Sequence, residues 1–229
     1  MEYWYETHMH TSEGSGCGAN SAAEQVRAYK ERGYQGIIIT DHFINGYSTC
    51  PRSRNLSWEQ KMNYVVSGYK AAKKEGDKWG LDVFLGWEYT IKGSDFLTYG
   101  LDWDFLISYP DLDRLEIQEY SALVREHGGF IAQAHPFRDQ SYIQNKFPAS
   151  PQYLDAVEVF NASDPSYTNG KAMAFAKKHD LPVQAGSDAH YVGIRFASGI
   201  SMNHRAKDIH DIIDAIKNKK VQLILPNKR

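Results

Sequence analysis

The sequence predicts an α/β protein built on a parallel sheet, and three features of the chain favour this fold class. Short apolar segments alternate with amphipathic helical segments, as they do in strand–helix units. Residues 36–39 and 183–185 are short runs of mostly small or β-branched residues, which are typical of strands covered on both faces. Polar residues follow five of the strands. This favours a closed barrel over an open sheet, because barrels assemble their sites from many strand ends.

Length and apolar content mark ten segments as strands. They are residues 3–7, 36–40, 83–87, 96–99, 105–108, 130–134, 156–160, 182–186, 198–202 and 221–225. Helices are predicted between them at residues 21–33, 57–76, 116–127, 168–179 and 208–219. The first helix begins with a capping box formed by Ser21 and Glu24, and it stops at Gly33, which tolerates a left-handed conformation.

The composition narrows the class of protein without naming a function. With 229 residues, the chain is expected to form a single domain over 1–229. The formal net charge of −2 argues against a general nucleic-acid coat or a polybasic membrane binder. The sequence contains neither a secretory signal pattern nor an apolar run of about 20 residues, so a cytoplasmic protein without membrane attachment is expected. Its two cysteines, Cys17 and Cys50, form no CxxC motif, which agrees with a reducing compartment.

Five predicted strands run into side chains that commonly bind metal ions. These side chains are His8 and His10, Asp41 and His42, Glu88, His135, and Asp188 and His190. Residues i and i+2 of an extended segment point the same way, so His8 and His10 can share one ion. Glu88 stands alone at its predicted strand end and is suited to bridging two ions with its two oxygens. Imidazole and carboxylate ligands together fit Zn, Mn or Fe.

A single His-x-His pair is a weak signal in a chain with nine histidines. The ordered series of strand-end motifs is what points to a metal site. The other four histidines follow no such pattern and are expected to be structural: His127, His179, His204 and His210.

The ordered motifs resemble the PHP family, named for its polymerase and histidinol-phosphatase members. They occupy residues 8–12, 39–42, 87–88, 134–136, 157–161 and 186–190. The resemblance implies a distorted (β/α)7 TIM-like barrel with two or three divalent ions at the carboxyl ends of its strands, and hydrolysis of phosphate esters. It implies three sets of ligands: His8, His10, Glu88 and Asp188 for a first ion, Glu88 and His135 for a second, and His42 and His190 for a third.

The chain departs from the family pattern at two ligand positions. Family members often carry a histidine shortly after the bridging glutamate, where this chain has Asp95. Family members also often carry an aspartate or histidine shortly after the first motif. Here Glu13 is the preferred substitute and Cys17 the second choice.

The predicted mechanism is metal-assisted attack of a bridging hydroxide on phosphorus. Asp41 is expected to orient a ligand or, as the alternative, to reach the metals itself. Arg138 and Arg195 each follow a ligand strand closely, and either is expected to clamp a phosphate group. Arg52 and Arg54, in the polar loop after His42, are candidates for contact with an anionic substrate.

The expected substrate is a small phosphorylated molecule, such as a phosphomonoester or short nucleotide, rather than a long nucleic acid. Two other functions remain open at this point. One is metal-dependent hydrolysis of an amide bond, since a fold does not determine the reaction. The other is a non-catalytic, metal-binding accessory module.

Overall fold

The computed structural model describes residues 2–52, 55–141, 143–144 and 147–226. The strands within these residues are β1 (Tyr3–Glu6), β2 (Gly36–Ile39), β3 (Asp82–Ile91), β4 (Ser94–Tyr99), β5 (Phe130–Gln133), β6 (Ala156–Asn161), β7 (Val183–Gly186), β8 (Gly199–Met202) and β9 (Gln222–Ile224). The α-helices are α1 (Ala22–Glu31), α2 (Trp58–Val65), α3 (Ser67–Trp79), α4 (Trp103–Ser108), α5 (Ile117–Glu126), α6 (Ser166–Lys178) and α7 (Ile209–Lys217).

The strands form one sheet in the order β7-β6-β5-β4-β3-β2-β1-β8-β9. Strands β1 to β3 are parallel to one another, and so are β5 to β7. Strand β4 lies antiparallel between these two sets because it forms a hairpin with β3. The two residues that join them, Lys92 and Gly93, both have positive φ angles, as the tightest hairpin turns require.

The sheet curls so that the end of β7 meets the end of β1. Just beyond these strands, Met9 and Ala189 form a parallel bridge, and the His10 N–H donates to the Ala189 carbonyl over 2.9 Å. The Thr7 hydroxyl donates to the Ala185 carbonyl over 2.8 Å. Strands β1 to β7 therefore form a nearly closed barrel, which confirms the predicted fold class. Strands β8 and β9 extend the sheet outside β1 in antiparallel pairing.

Three elements differ from the sequence prediction. Residues 105–108 form part of helix α4 rather than a strand, because Asp102 caps this helix by accepting the Phe105 N–H. A short apolar run cannot be assigned to strand or helix from its periodicity alone. The helix predicted at 57–76 is interrupted at Val66, which ends α2 and precedes α3. Strand β3 does not end at Glu88 but continues to Ile91, because it exchanges β2 for β4 as its partner.

Large side chains pack against both faces of the barrel sheet. Trp87 and Tyr89 of β3 pack with Tyr120 of α5, and the Trp87 indole N–H donates to the Tyr120 hydroxyl over 2.7 Å. Ile212 and Ile216 of α7 belong to a second buried cluster. No helix among the described residues combines the length and the apolar character needed to cross a membrane.

Candidate metal centre

The carboxyl ends of the barrel strands bring the predicted ligand groups together around Glu88. Glu88 Oε1 lies 3.3 Å from His8 Nε2 and 3.2 Å from His135 Nε2. Glu88 Oε2 lies 3.4 Å from His10 Nε2 and 3.0 Å from His42 Nδ1. Each oxygen thus faces two imidazoles, an arrangement suited to a carboxylate that bridges two cations.

Asp188 forms the second carboxylate of the cluster. Its Oδ1 lies 3.2 Å from His10 Nε2 and 3.4 Å from His190 Nδ1. Its Oδ2 accepts a hydrogen bond of 2.6 Å from the Arg138 guanidinium. Burial would favour the neutral acids, but the charged neighbours hold the pKa values of both Glu88 and Asp188 well below their usual range. Both carboxylates are therefore anionic and available to a cation.

Hydrogen bonds orient the His10 ring so that one nitrogen lone pair faces the cluster. The Ser15 hydroxyl donates its proton to Asp41 over 2.7 Å, so it must accept the bond of 3.0 Å from His10 Nδ1. His10 Nε2 is then unprotonated and points at Asp188. Burial, together with His42, lowers the pKa of His10 to about 3, which keeps this imidazole neutral.

Similar bonds orient two further imidazoles. His8 Nδ1 lies 3.0 Å from the Glu158 carboxylate, which can only accept a hydrogen bond when ionised. His190 Nδ1 donates to the Asp188 carbonyl over 2.9 Å. The Nε2 atoms of both rings are therefore the nitrogens left to bind a ligand, as in many metal-binding histidines whose other nitrogen is hydrogen-bonded.

Two buried atoms of the cluster lack a hydrogen bond within the protein. They are His42 Nδ1 and Glu88 Oε2, which lie close to each other without hydrogen-bond geometry. Buried polar atoms nearly always have a partner, so this pair fits a site completed by a cation. The side chains form three groups whose ligand atoms lie within 4.8 Å of one another: His8, His10 and Asp188; His8, Glu88 and His135; and His10, Cys17, His42 and His190.

The backbone is strained at two of these positions. His135 has a φ angle of 28° and Asp188 one of 52°, in the left-handed region that most residues avoid. Each lies two residues beyond the end of its strand, where the turn directs the side chain into the cluster. Backbone strain of this kind persists where the surrounding structure enforces it, which is typical of functional sites.

Asp95 and Asp41 are both buried beside the cluster, in different roles. Asp95 lies on β4, where its Oδ2 is 3.9 Å from His135 Nε2 and its Oδ1 accepts the Thr90 hydroxyl over 2.6 Å. Asp41 accepts the Thr11 N–H and the Ser15 hydroxyl over 2.7 Å each. The Thr11 hydroxyl donates to the other carboxylate oxygen, also over 2.7 Å, so Asp41 lies behind His10 with both oxygens occupied.

Two predicted residues lie apart from the cluster. Glu13 does not face it, because its carboxylate accepts the Ala22 N–H over 2.9 Å at the start of α1. Arg195 is exposed and lines a depression next to β8 and β9, with Trp4 and Gln222. The structure therefore places Arg195 apart from the groups beside which it is predicted to clamp a phosphate. Arg138 is held in the cluster by Asp188 and by Asp164, which accepts a bond of 2.7 Å.

Sequence reasoning missed two buried glutamates. Glu158 of β6 accepts the His135 N–H over 3.0 Å, as well as bonding His8. Glu6 of β1 accepts the N–H groups of His8 and Ser187 over 2.9 Å each, across the seam where β7 meets β1. The available signal was a charged residue in an otherwise apolar strand, since Glu158 stands between Val157 and Val159.

A cavity of about 680 Å³ opens above the cluster. Its walls include Asn45, Tyr47 and Arg52 of the loop after His42, together with Cys17 and Arg138. Arg54 of the same loop lies outside the described residues. Burial raises the pKa of the Cys17 thiol, but hydrogen bonds to His190 and His42 outweigh it and lower that pKa to about 7.

Comparisons with known proteins agree with this geometry. A PHP-associated family model matches residues 166–193, which include Asp188 and His190. A two-domain protein from Bacteroides vulgatus, whose name includes a predicted PHP-like metal-dependent phosphoesterase, superimposes with a TM-score of 0.73 at 15% identity. This match covers 98% of the chain and 65% of the Bacteroides protein. The chain thus shares the fold of a PHP-like protein and contains a segment that matches a PHP-associated model.

Two further structures share this fold. A lesion-specific endonuclease from Pyrococcus furiosus aligns with a TM-score of 0.67 at 14% identity, over 98% of this chain and 58% of the endonuclease. An amidohydrolase from Chromobacterium violaceum aligns with a TM-score of 0.59 at 13% identity, over 95% and 97% of the two chains. At these identities the likeness concerns the fold.

One sequence relative matches more strongly. An uncharacterized protein from Methanocaldococcus jannaschii is 31% identical over 139 residues. The match covers 58% of this chain and 48% of the archaeal protein, so it spans about half of that relative's length.

Proposed function

We propose that this protein belongs to the PHP family and is a metal-dependent phosphoesterase with a di- or trinuclear metal site, acting on a small phosphorylated substrate. The observation that carries this proposal is the Glu88 carboxylate, which lies within 3.4 Å of four imidazoles from three different strand ends. Buried carboxylates and neutral imidazoles together are the ligands of Zn, Mn and Fe in hydrolases.

The residues that would hold the ions fall into two sets, according to which side chains they contact. His8, His10, Asp188 and Glu88 surround one position, and Glu88, His135 and Asp95 surround another. When bound there, divalent ions would lower the pKa of water and neutralise the charge on phosphate oxygens. Asp41 and Glu158 would keep the His10 and His8 rings in the tautomers that expose a lone pair.

Arg138 is the residue best placed to meet a phosphate group. Its guanidinium lines the cavity and is fixed by Asp164 and Asp188, so a substrate that binds there meets a positive charge already in position. A positioned guanidinium binds phosphate oxygens through charge-assisted hydrogen bonds. This arrangement favours phosphate esters over uncharged amides as substrates.

The cavity supports a small substrate. Its volume of about 680 Å³ lies within the range of small-molecule sites. Tyr47, whose side chain is 64% exposed, stands at the cavity wall and offers a flat surface to a base or sugar. The net charge of −2 disfavours long, non-specific contact with a polyanion.

A substrate panel tests the proposal. The protein is stripped with EDTA, reloaded separately with Zn²⁺, Mn²⁺ or Fe²⁺, and offered a phosphomonoester, a phosphodiester, a cyclic amide and a DNA oligonucleotide. We expect metal-dependent hydrolysis of at least one small phosphate ester. Hydrolysis of the amide alone would replace the proposal with amide hydrolysis, and cleavage of the oligonucleotide alone would overturn the small-substrate assignment. Absence of any turnover would favour a non-catalytic metal-binding module.

A further inference from the structure

Cys17 lies in a group of potential ligands that differs in chemistry from the rest of the metal centre. Its sulfur and one nitrogen each of His10, His42 and His190 lie within 4.8 Å of one another. The imidazole rings of this group lie close together, since the His10 ring centre is 4.6 Å from that of His42 and 4.4 Å from that of His190. The cysteine is thus one of four converging side chains.

His10 is already engaged by the neighbouring position. Its only free lone pair is on Nε2, because Nδ1 donates to Ser15. That Nε2 atom lies 3.2 Å from Asp188 and 3.4 Å from Glu88. A single lone pair serves one ion, so His10 belongs with these carboxylates, and Cys17, His42 and His190 remain as a separate set of three.

The loop that carries Cys17 is tied to both histidine-bearing segments. The Gly16 N–H donates to the Tyr47 carbonyl over 2.7 Å, in the loop that follows His42. The Ala19 N–H donates to the His190 carbonyl, also over 2.7 Å. A side chain at Gly18 would overlap the backbone of Thr11, because the loop packs directly against that backbone. Cys17 is therefore fixed between its two partners.

His42 contains a buried polar atom without a partner. Its Nδ1 has no hydrogen bond, although it lies 3.0 Å from Glu88 Oε2, so a cation beside His42 would complete its contacts. The carboxylate that could have served here, that of Glu13, is bound to the N-terminus of α1. The side chain that lies beside His42 and His190 is therefore the Cys17 thiol rather than the Glu13 carboxylate.

We propose that Cys17, as a thiolate, binds a thiophilic divalent ion such as Zn²⁺ together with His42 and His190. The inference rests on the proposed function, since it specifies one position of that metal centre. On binding, the thiol proton passes to solvent and the sulfur bonds to the ion, with no change of oxidation state. Three protein ligands leave a fourth coordination position open, as in catalytic zinc sites. Soft thiolate ligands select Zn²⁺ over Mn²⁺, which prefers oxygen.

Titration with Co²⁺ tests the assignment directly, because thiolate bound to Co²⁺ gives a charge-transfer band in the near ultraviolet. The apo wild type, Cys17→Ser and Cys50→Ser are compared. Cys50 is the matched control because it lies outside the cavity lining. We expect the band in the wild type and in Cys50→Ser, and its loss in Cys17→Ser with one Zn²⁺ fewer per chain. A band that persists in Cys17→Ser, or its absence from the fully loaded wild type, would overturn the proposal.

A second measurement needs no variant and so does not depend on the folding of Cys17→Ser. The wild type is treated with iodoacetamide with and without Zn²⁺, and alkylation of each cysteine is followed by mass spectrometry. We expect Zn²⁺ to slow alkylation of Cys17 at least about 10-fold while that of Cys50 stays the same. Equal rates with and without Zn²⁺ at Cys17 would contradict thiolate ligation.

These measurements separate the inference from the proposed function. A charge-transfer band without phosphate-ester turnover would keep the thiolate site and remove the phosphoesterase. Turnover without the band would keep the phosphoesterase and remove the thiolate site.

Discussion

The seam of the barrel and its mouth each contain a buried glutamate, and the two carboxylates meet different partners. Glu6, at the seam, is fully buried, and Glu88, at the mouth, is 1% exposed. Glu6 accepts the N–H groups of Thr7, His8 and Ser187 and the Tyr29 hydroxyl, all within 3.0 Å. Glu88 is surrounded by imidazole nitrogens and keeps one oxygen without a hydrogen bond.

This difference separates a structural carboxylate from a ligand. Burial raises the pKa of Glu6 to about 7, although its hydrogen bonds act against this rise. The same burial acts on Glu88, but the charge of His42 and His8 outweighs it and the pKa falls well below its usual range. A carboxylate saturated by fixed backbone donors holds strands together, whereas one surrounded by imidazole nitrogens, with an oxygen left without a hydrogen bond, is arranged for a cation. Four experiments test this contrast.

The largest effect is expected from Glu88→Gln. The amide removes the charge that would bridge two cations, so we expect phosphoesterase kcat/KM to fall about 1,000-fold, or about 4 kcal/mol. Metal content, measured by elemental analysis, should fall with it. In metal-free buffer the variant should lose less stability than Glu6→Ala, because Glu88 Oε2 has no hydrogen bond to lose and Oε1 has one, to His135. Full metal content with full activity would contradict the bridging role.

Glu6→Ala should instead act on stability. The substitution leaves buried backbone donors on both sides of the seam without an acceptor, at about 1–3 kcal/mol for each group. We expect the free energy of unfolding in metal-free buffer, measured by urea denaturation, to fall by at least about 3 kcal/mol. If Glu88→Gln destabilised the apo protein as much as Glu6→Ala, the distinction between the two carboxylates would fail.

Glu158→Gln should have an intermediate effect, because Glu158 touches the centre only through His8 and the His135 backbone. Loss of its charge weakens the hold on the His8 ring, so we expect metal affinity to fall about 10- to 100-fold. Competition with a metal indicator measures this affinity. Glu75→Gln is the control, since Glu75 pairs with Arg27 and Lys78 on the outer helices and should leave affinity unchanged.

The smallest effect is expected at the two arginines. Arg138→Ala should raise KM for a phosphate ester about 10-fold, because the guanidinium in the cavity is lost. Arg195→Ala should leave steady-state kinetics unchanged, since Arg195 lies at another surface. An equal rise in KM for both variants would show that position in the cavity does not decide phosphate binding.

Much of the candidate site could be predicted because its ligands follow strand ends in a fixed order. His8, His10, Glu88, His135, Asp188 and His190 meet as the motifs indicated. The choice between Glu13 and Cys17 could not be made from the chain, because it depends on where the N-terminus of α1 lies relative to the cluster. Arg138 and Arg195 looked equivalent for the same reason: both closely follow a ligand strand, but only the fold shows which of the two turns into the cavity.

The sequence by itself determined the alternation of strands and helices, the strand-end ligands and the PHP resemblance, because these depend on local periodicity and on residues close together in the chain. Only the tertiary structure decided that β4 runs antiparallel, that Glu158 holds His8, and that Cys17 rather than Glu13 faces His42 and His190. These contacts join residues far apart in sequence. Which residues meet depends on how the barrel closes, and this cannot be inferred from local sequence patterns.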